Sequence, residues 1–137
     1  MAPPTVLRTR AEMLRQMRPE RVAGRFMFQS IPEEDLADRM SAIQGLFRES
    51  EGISVIVPAE PGAAGAMAQI TLQAYSALDG VGLTAAVSGA LAQAGIACNM
   101  VAALNHDHVF VPEADADRAL KILRDVSRFS KQTDQKG

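Results

Sequence analysis

The chain has 137 residues, 47% apolar, 22% charged and 4% aromatic, with a formal net charge of −2. That is one domain's length and enough to bury a core without disulfides or a structural metal. Residues 1–30 carry six basic and two acidic groups, residues 31–60 two and seven, and no Lys or Arg occurs in the 69 residues between Arg48 and Arg118. Nucleic-acid binding rests on Lys and Arg neutralising phosphates, so this charge pattern argues against a polynucleotide partner.

The N-terminus, Met1-Ala-Pro-Pro, runs into Arg8, Arg10 and Arg15 without an apolar stretch, so no signal peptide is expected and a cytoplasmic location is. Leu7, Ala11, Leu14 and Met17 recur at helical spacing and predict a short amphipathic helix. From Val22 to Ile31 the period shortens to two, with Phe26 and Phe28 on one face, which predicts a strand. Pro32 followed by Glu33, Glu34 and Asp35 is a helix start, and Leu36, Met40, Ile43 and Phe47 extend that helix at apolar spacing, with Gly45 as an interruption. Ile53 to Val57 is β-branched and ends at Pro58, as a buried strand does. Residues 58–67 hold two prolines and two glycines and form the best linker.

Ala68, Ile70, Leu72 and Ala74 alternate with Gln69, Thr71, Gln73 and Tyr75, the pattern of a strand with one buried face. A turn at Asp79-Gly80 leads to a helix from Gly82 to Ala94, with Leu83, Val87 and Leu91 inward and Gly95 as its stop. Cys98 to Leu104 and His108 to Val111 predict a hairpin about Asn105-His106-Asp107, and Pro112 precedes a last helix that buries Ala116, Leu120 and Leu123. The weakly polar stretch 80–104 is broken by Gly82, Gly89, Gly95 and Asn99, so no membrane span is expected. Cys98, the single cysteine, has no partner for an internal disulfide.

The order is α-β-α-β, a linker, then β-α-β-β-α. The second unit is a ferredoxin-like arrangement lacking its fourth strand, which Ile53–Val57 or Val22–Ile31 would supply, because an open central edge is costly. One intertwined α+β body is expected.

The run Ala77-Leu-Asp-Gly-Val-Gly-Leu-Thr-Ala-Ala-Val-Ser-Gly-Ala-Leu-Ala-Gln-Ala-Gly-Ile-Ala-Cys-Asn99 resembles an ACT domain. The hairpin Asn105 to Pro112 is similar to that of small stand-alone bacterial ACT proteins related to aspartokinase regulatory domains. In them Phe47 to Pro58 has a counterpart in a degenerate first repeat. The resemblance covers roughly residues 22–125. It implies a ferredoxin-like βαββαβ fold, with a degenerate ACT-like half over 22–60 packed on a more complete ACT domain over 61–128. An N-terminal helical extension (1–21) and a frayed tail (129–137) flank them. It also implies a non-catalytic regulatory or sensor protein that binds an amino acid or similar small ligand and forms a homodimer through ACT pairing, with no cofactor.

In that family the ligand sits against the first strand-to-helix loop and the start of the second strand, here Asp79, Gly80, Val81, Gly82 and Leu83, with Asn99. Independently, glycines at a helix start let a carboxylate approach free backbone N–H groups where the helix dipole favours negative charge. Asp79 could pair with an ammonium and Asn99 offers a donor and an acceptor. The plainer reading is an N-cap and a tight turn, with Asn99 satisfying backbone groups. A ligand that retains the fold's site and a ligand-free interaction module both remain open. His106 and His108 raise a third alternative, a metal site. Zinc wants three or four protein ligands, Cys98 is the one further strong donor nearby, and turn chemistry explains Asn105 and Asp107 without a metal. Ser54, Ser76 and Ser88 lack an evident base, and no phosphate-binding or nucleophile-elbow motif occurs, so no catalytic residue is assigned. The small residues Ala85, Ala86, Gly89, Ala90 and Ala92 suit close helix packing, onto the sheet or across a dimer. With no cation in the middle of the chain, a ligand carboxylate would need backbone N–H groups or a basic residue from the N-terminal segment or a partner.

Overall fold

The computed structural model describes residues 5–136, with side chains through Ser130. After Leu7, which makes an isolated bridge to Ser76, come α1 (Arg10–Arg15), β1 (Pro19–Arg21) and β2 (Phe26–Ile31). A helical segment over 33–42 follows, containing α2 (Leu36–Arg39) between two 3-10 turns, then β3 (Gly45–Glu49) and β4 (Gly52–Pro58). The second half is β5 (Met67–Leu72), α3 (Leu83–Gln93), β6 (Asn99–Ala102), β7 (Asp107–Pro112) and α4 (Ala116–Lys136).

All main pairings are antiparallel, in one sheet of order β3-β4-β2-β5-β7-β6, with β1 also on β5. Both halves repeat one plan: strand, helix, edge strand, middle strand. They meet where β2 and β5 pair through Phe26 and Met67. The missing fourth strand of the second half is β1, whose Pro19, Glu20 and Arg21 face Leu72, Thr71 and Ile70. The N-terminal region thus completes the C-terminal unit, and the two halves form one body with the ferredoxin-like arrangement expected.

Alternation explains the layers. Ala68, Ile70, Leu72, Val109 and Val111 point to one face and are buried under Met13 and Leu14 of α1, Leu83, Val87 and Leu91 of α3, and Leu123 of α4. On the same face of the first half, Ile31, Ile53, Val55 and Val57 carry only the half-buried Leu36 and Ile43. Residues of opposite parity, Phe26, Ile56 and Phe110, make a separate cluster on the face without helices. The rings of Phe26 and Phe28 meet Phe110 edge-on, at centroid separations of 6.0 and 5.4 Å. Aromatic rings two strands apart touch because the sheet curls.

Several expectations need correction. Phe47 is not on a helix: the segment stops at Ala42, and Phe47 lies on β3, 73% exposed. Gly45 opens that strand rather than interrupting a helix; a Cβ there would sit 3.2 Å from Ile56 Cδ1. The first helix is shorter than Leu7–Met17, because Thr9 caps it by accepting from the Glu12 N–H at 3.2 Å. β5 is buried on both faces, not one: Gln69 and Thr71 are buried in a polar network instead of meeting water. The 59–66 connection is held down, since Arg25 Nε donates to Glu113 at 2.8 Å and its other nitrogens donate to the carbonyls of Glu60 and Ala63.

Candidate functional site

The connection from β5 to α3, residues 73–82, is the longest strand-to-helix turn of the fold. The N-terminal segment fixes its course. The Leu7 N–H donates to Tyr75 O at 2.7 Å and the Ala77 N–H to Leu7 O at 2.8 Å, so Leu7 runs alongside like a short strand. Gly80 is pressed under this segment; a Cβ there would lie 3.1 Å from Met13 Sδ and 3.2 Å from Arg8 O. Gly82 has φ +110, and a Cβ would come within 2.8 Å of Arg10 Cδ. Gly80 is therefore required by close approach, and Gly82 by conformation as well.

A cavity of about 120 Å³ lies below, lined by Met13, Ser76, Gly80, Gly82, Leu83 and Asp107 among others. Gly82 caps α3 without a side chain, and the first helical bond is the Ala86 N–H to Gly82 O at 3.0 Å. The amides of Leu83, Thr84 and Ala85 are thus the open, electropositive end of the helix. Asp107 lines the same cavity and shares its face of β7 with Val109 and Val111. Burial pushes its carboxyl above the ordinary aspartate range, partly offset by His108 and His106. The Ser76 hydroxyl is buried here with no hydrogen-bond partner among the described residues. A positive helix end, a carboxylate and a free hydroxyl around one small cavity suit a zwitterion.

Of the six residues expected to bind ligand, Gly80, Gly82 and Leu83 line this cavity. Asp79 turns outward to a salt bridge with Arg8, both side chains mostly exposed, and Val81 is 81% exposed. Asn99 is exposed at the far end of β6: it pairs with Phe110, whereas Ala102 pairs with Asp107. Three residues of strand, about 10 Å, therefore separate Asn99 from the cavity.

The two histidines have separate surroundings. His106 packs on the Tyr75 ring at 4.7 Å, with Nδ1 3.4 Å from Ala74 O. His108 Nδ1 lies 2.9 Å from Thr71 Oγ1 and 3.1 Å from Gln69 Nε2, while Gln44 Nε2 donates to Gln69 Oε1 at 2.7 Å. Burial lowers the His108 pKa, with a smaller push from His106. No group of three His, Cys, Asp or Glu side chains converges for a metal among the described residues. Burial raises the Cys98 thiol, the opposite of what a nucleophile needs.

Sequence reasoning did not find Asp107 as a site residue, nor Ser76 and Met13. A signal for Asp107 existed: it falls in the inward parity of Val109 and Val111, where a carboxylate is out of place.

Two family models, each described as an ACT domain, match residues 9–71 and 65–125. A protein of unknown function from Vibrio cholerae, described as a possible transport protein, is 36% identical, with 82% of this chain and 91% of that chain covered and a TM-score of 0.71. The chain belongs to the ACT domain family. Its fold is shared at lower identity by the regulatory subunit of aspartate kinase from Thermus flavus (14% identical, 79% and 95% covered, TM-score 0.58). A protein from Agrobacterium tumefaciens shares it too (16%, 82% and 90%, 0.60). No curated protein matches. ACT domains are typically regulatory ligand-binding modules, and the two matched stretches meet at β5, where the halves of the sheet join.

Proposed function

We propose that this ACT protein is a non-catalytic regulator that binds an amino acid in the cavity between the β5–α3 turn and the start of β7. The observation that carries the reading is Asp107, a half-buried carboxylate that lines the same cavity as Gly80, Gly82 and the uncapped N-terminus of α3. A ligand carboxylate would accept from the Leu83 and Thr84 amides, its ammonium would neutralise Asp107, and Ser76 would take a remaining hydrogen bond. Asp107 thus takes the ammonium role that sequence reasoning placed on Asp79, which Arg8 occupies. Arg10, whose side-chain carbons lie over Gly82, is the basic residue of the N-terminal segment proposed to assist a bound carboxylate.

A second copy is proposed to pair through the outer face of α3, where a Cβ at Gly89 would meet nothing within 4 Å. Light scattering that gives a monomer at all concentrations would remove that part. The binding reading is tested by thermal shift with each of the twenty amino acids. A ligand at a hundred times its dissociation constant adds about 2.7 kcal/mol of stability. No shift with any of them, on folded protein, would refute it.

A further inference from the structure

The arginines at the two ends of the sequence are brought together by the fold. Arg18 closes the α1–β1 turn, and Arg124 and Arg128 lie one helical turn apart on α4. With Pro19, Glu20 and Ser127 they surround a surface cavity of about 390 Å³. These cations are poorly compensated. Arg18 and Arg124 form no ion pair among the described residues, and Arg128 reaches only Asp125, at 3.8 Å. Asp125 is already shared with Lys121 at 3.3 Å, and Glu20 accepts from Gln73 at 3.4 Å. Three guanidinium side chains around one cavity with Glu20 as its one lining carboxylate repel one another, and the fold holds them there nonetheless. The Ser127 hydroxyl donates to Arg15 O at 3.3 Å and pins α4 to α1, above the fully buried Met17 and Leu123. Arg18 itself has φ +41, the one positive φ outside glycine among the described residues. A strained backbone that keeps a cation in a cationic cluster points to a function for the cluster.

We propose that Arg18, Arg124 and Arg128 form a second binding site, for a compact, multiply charged phosphate compound such as a phosphate ester or polyphosphate. Guanidinium forks match phosphate oxygens, and three of them suit a ligand carrying two or three negative charges. The flanking Glu20, Asp117 and Asp125 would repel an extended polyanion, so the site takes a small ligand rather than a nucleic-acid backbone.

The test is calorimetry of the full chain with inorganic tripolyphosphate at about 0.15 M ionic strength, where nonspecific attraction is screened. One saturable equivalent is expected, tighter than orthophosphate and weakened at least about tenfold in R124Q/R128Q, whose exposed positions leave the fold intact by circular dichroism. Glu20→Gln, which removes the one carboxylate lining the cavity, should tighten binding by about twofold to threefold. No saturable binding, equal affinity in the double variant, or binding of the wild type only to phosphatidylserine vesicles or duplex DNA would overturn the proposal. Loss of this site leaves amino-acid binding at the α3 N-terminus unchanged, so the two readings fail separately.

Discussion

The two halves share a plan and differ in what they cover. In the second half α1, α3 and α4 seal one face of β5 and β7, whereas in the first a ten-residue helical segment, 33–42, buries no residue fully and leans on the sheet through Leu36 and Ile43. Strand-to-helix connections differ as sharply. β2 reaches its helical segment through Pro32 alone, and β5 reaches α3 through residues 73–82. Around the one-residue turn lies a wide, open groove of about 460 Å³ between Pro32, Glu33, Arg48 and Glu49, whereas the ten-residue turn, held by Leu7 and α1, closes over a smaller cavity of about 120 Å³. Repetition of the fold therefore does not repeat the enclosed cavity, and the proposed amino-acid site belongs to the second half alone.

Core truncations should show the largest contrast. Leu91→Ala, at a fully buried position of α3, should cost about 2–5 kcal/mol in urea unfolding. Leu36→Ala, at a half-buried one, should cost about 1 kcal/mol; similar costs would mean that the halves are equally packed. Gly82→Ala should lose about 1–3 kcal/mol through its left-handed backbone, and a neutral effect would show that Arg10 and the turn rearrange. Asp107→Asn should weaken amino-acid binding at least about tenfold while slightly raising stability, because it removes a desolvated charge. Asp79→Asn should change affinity by less than about threefold. An equal loss in both variants would return Asp79 to the site.

The smallest effect concerns pH. Burial lowers the His108 pKa from 6.5, so below pH 6.5 the unfolded chain binds more protons than the folded one. Stability should fall as pH drops from there through the lowered value, and His108→Gln should flatten that limb in urea melts. Asp107 acts in the opposite sense. Its pKa is raised from 3.8, so its unfavourable contribution develops as pH rises from 3.8 through the raised value. An ammonium ligand would offset that contribution, and affinity should therefore weaken as pH falls through the same window.

Much of the second half was legible because its elements are amphipathic at regular period. Leu83, Val87 and Leu91 mark α3, and Gly95, with φ +73 and the Ile96 N–H on Leu91 O at 2.9 Å, ends it as its position implies. The first half misled where period and partner conflict. Met40, Ile43 and Phe47 fit a helix, yet Gly45 to Glu49 pair with β4, and sheet hydrogen bonds outweigh a short helix that has little to bury against. β1 was illegible because three residues carry no periodicity; only the vacant edge of β5 demanded it. The cavity was legible in its glycines and not in its counter-charge, since Asp107 reaches it across the hairpin from residues distant in sequence. Arg18, Arg124 and Arg128 likewise come together only in the fold.

The measurement that bears most directly on this account is an amide NMR titration with the amino acid giving the largest thermal shift. Saturating shifts should concentrate at Leu83, Thr84 and Asp107, with Ile31 to Glu33 at the equivalent turn of the first half unmoved. Shifts centred on that first turn, or equal at both, would contradict it.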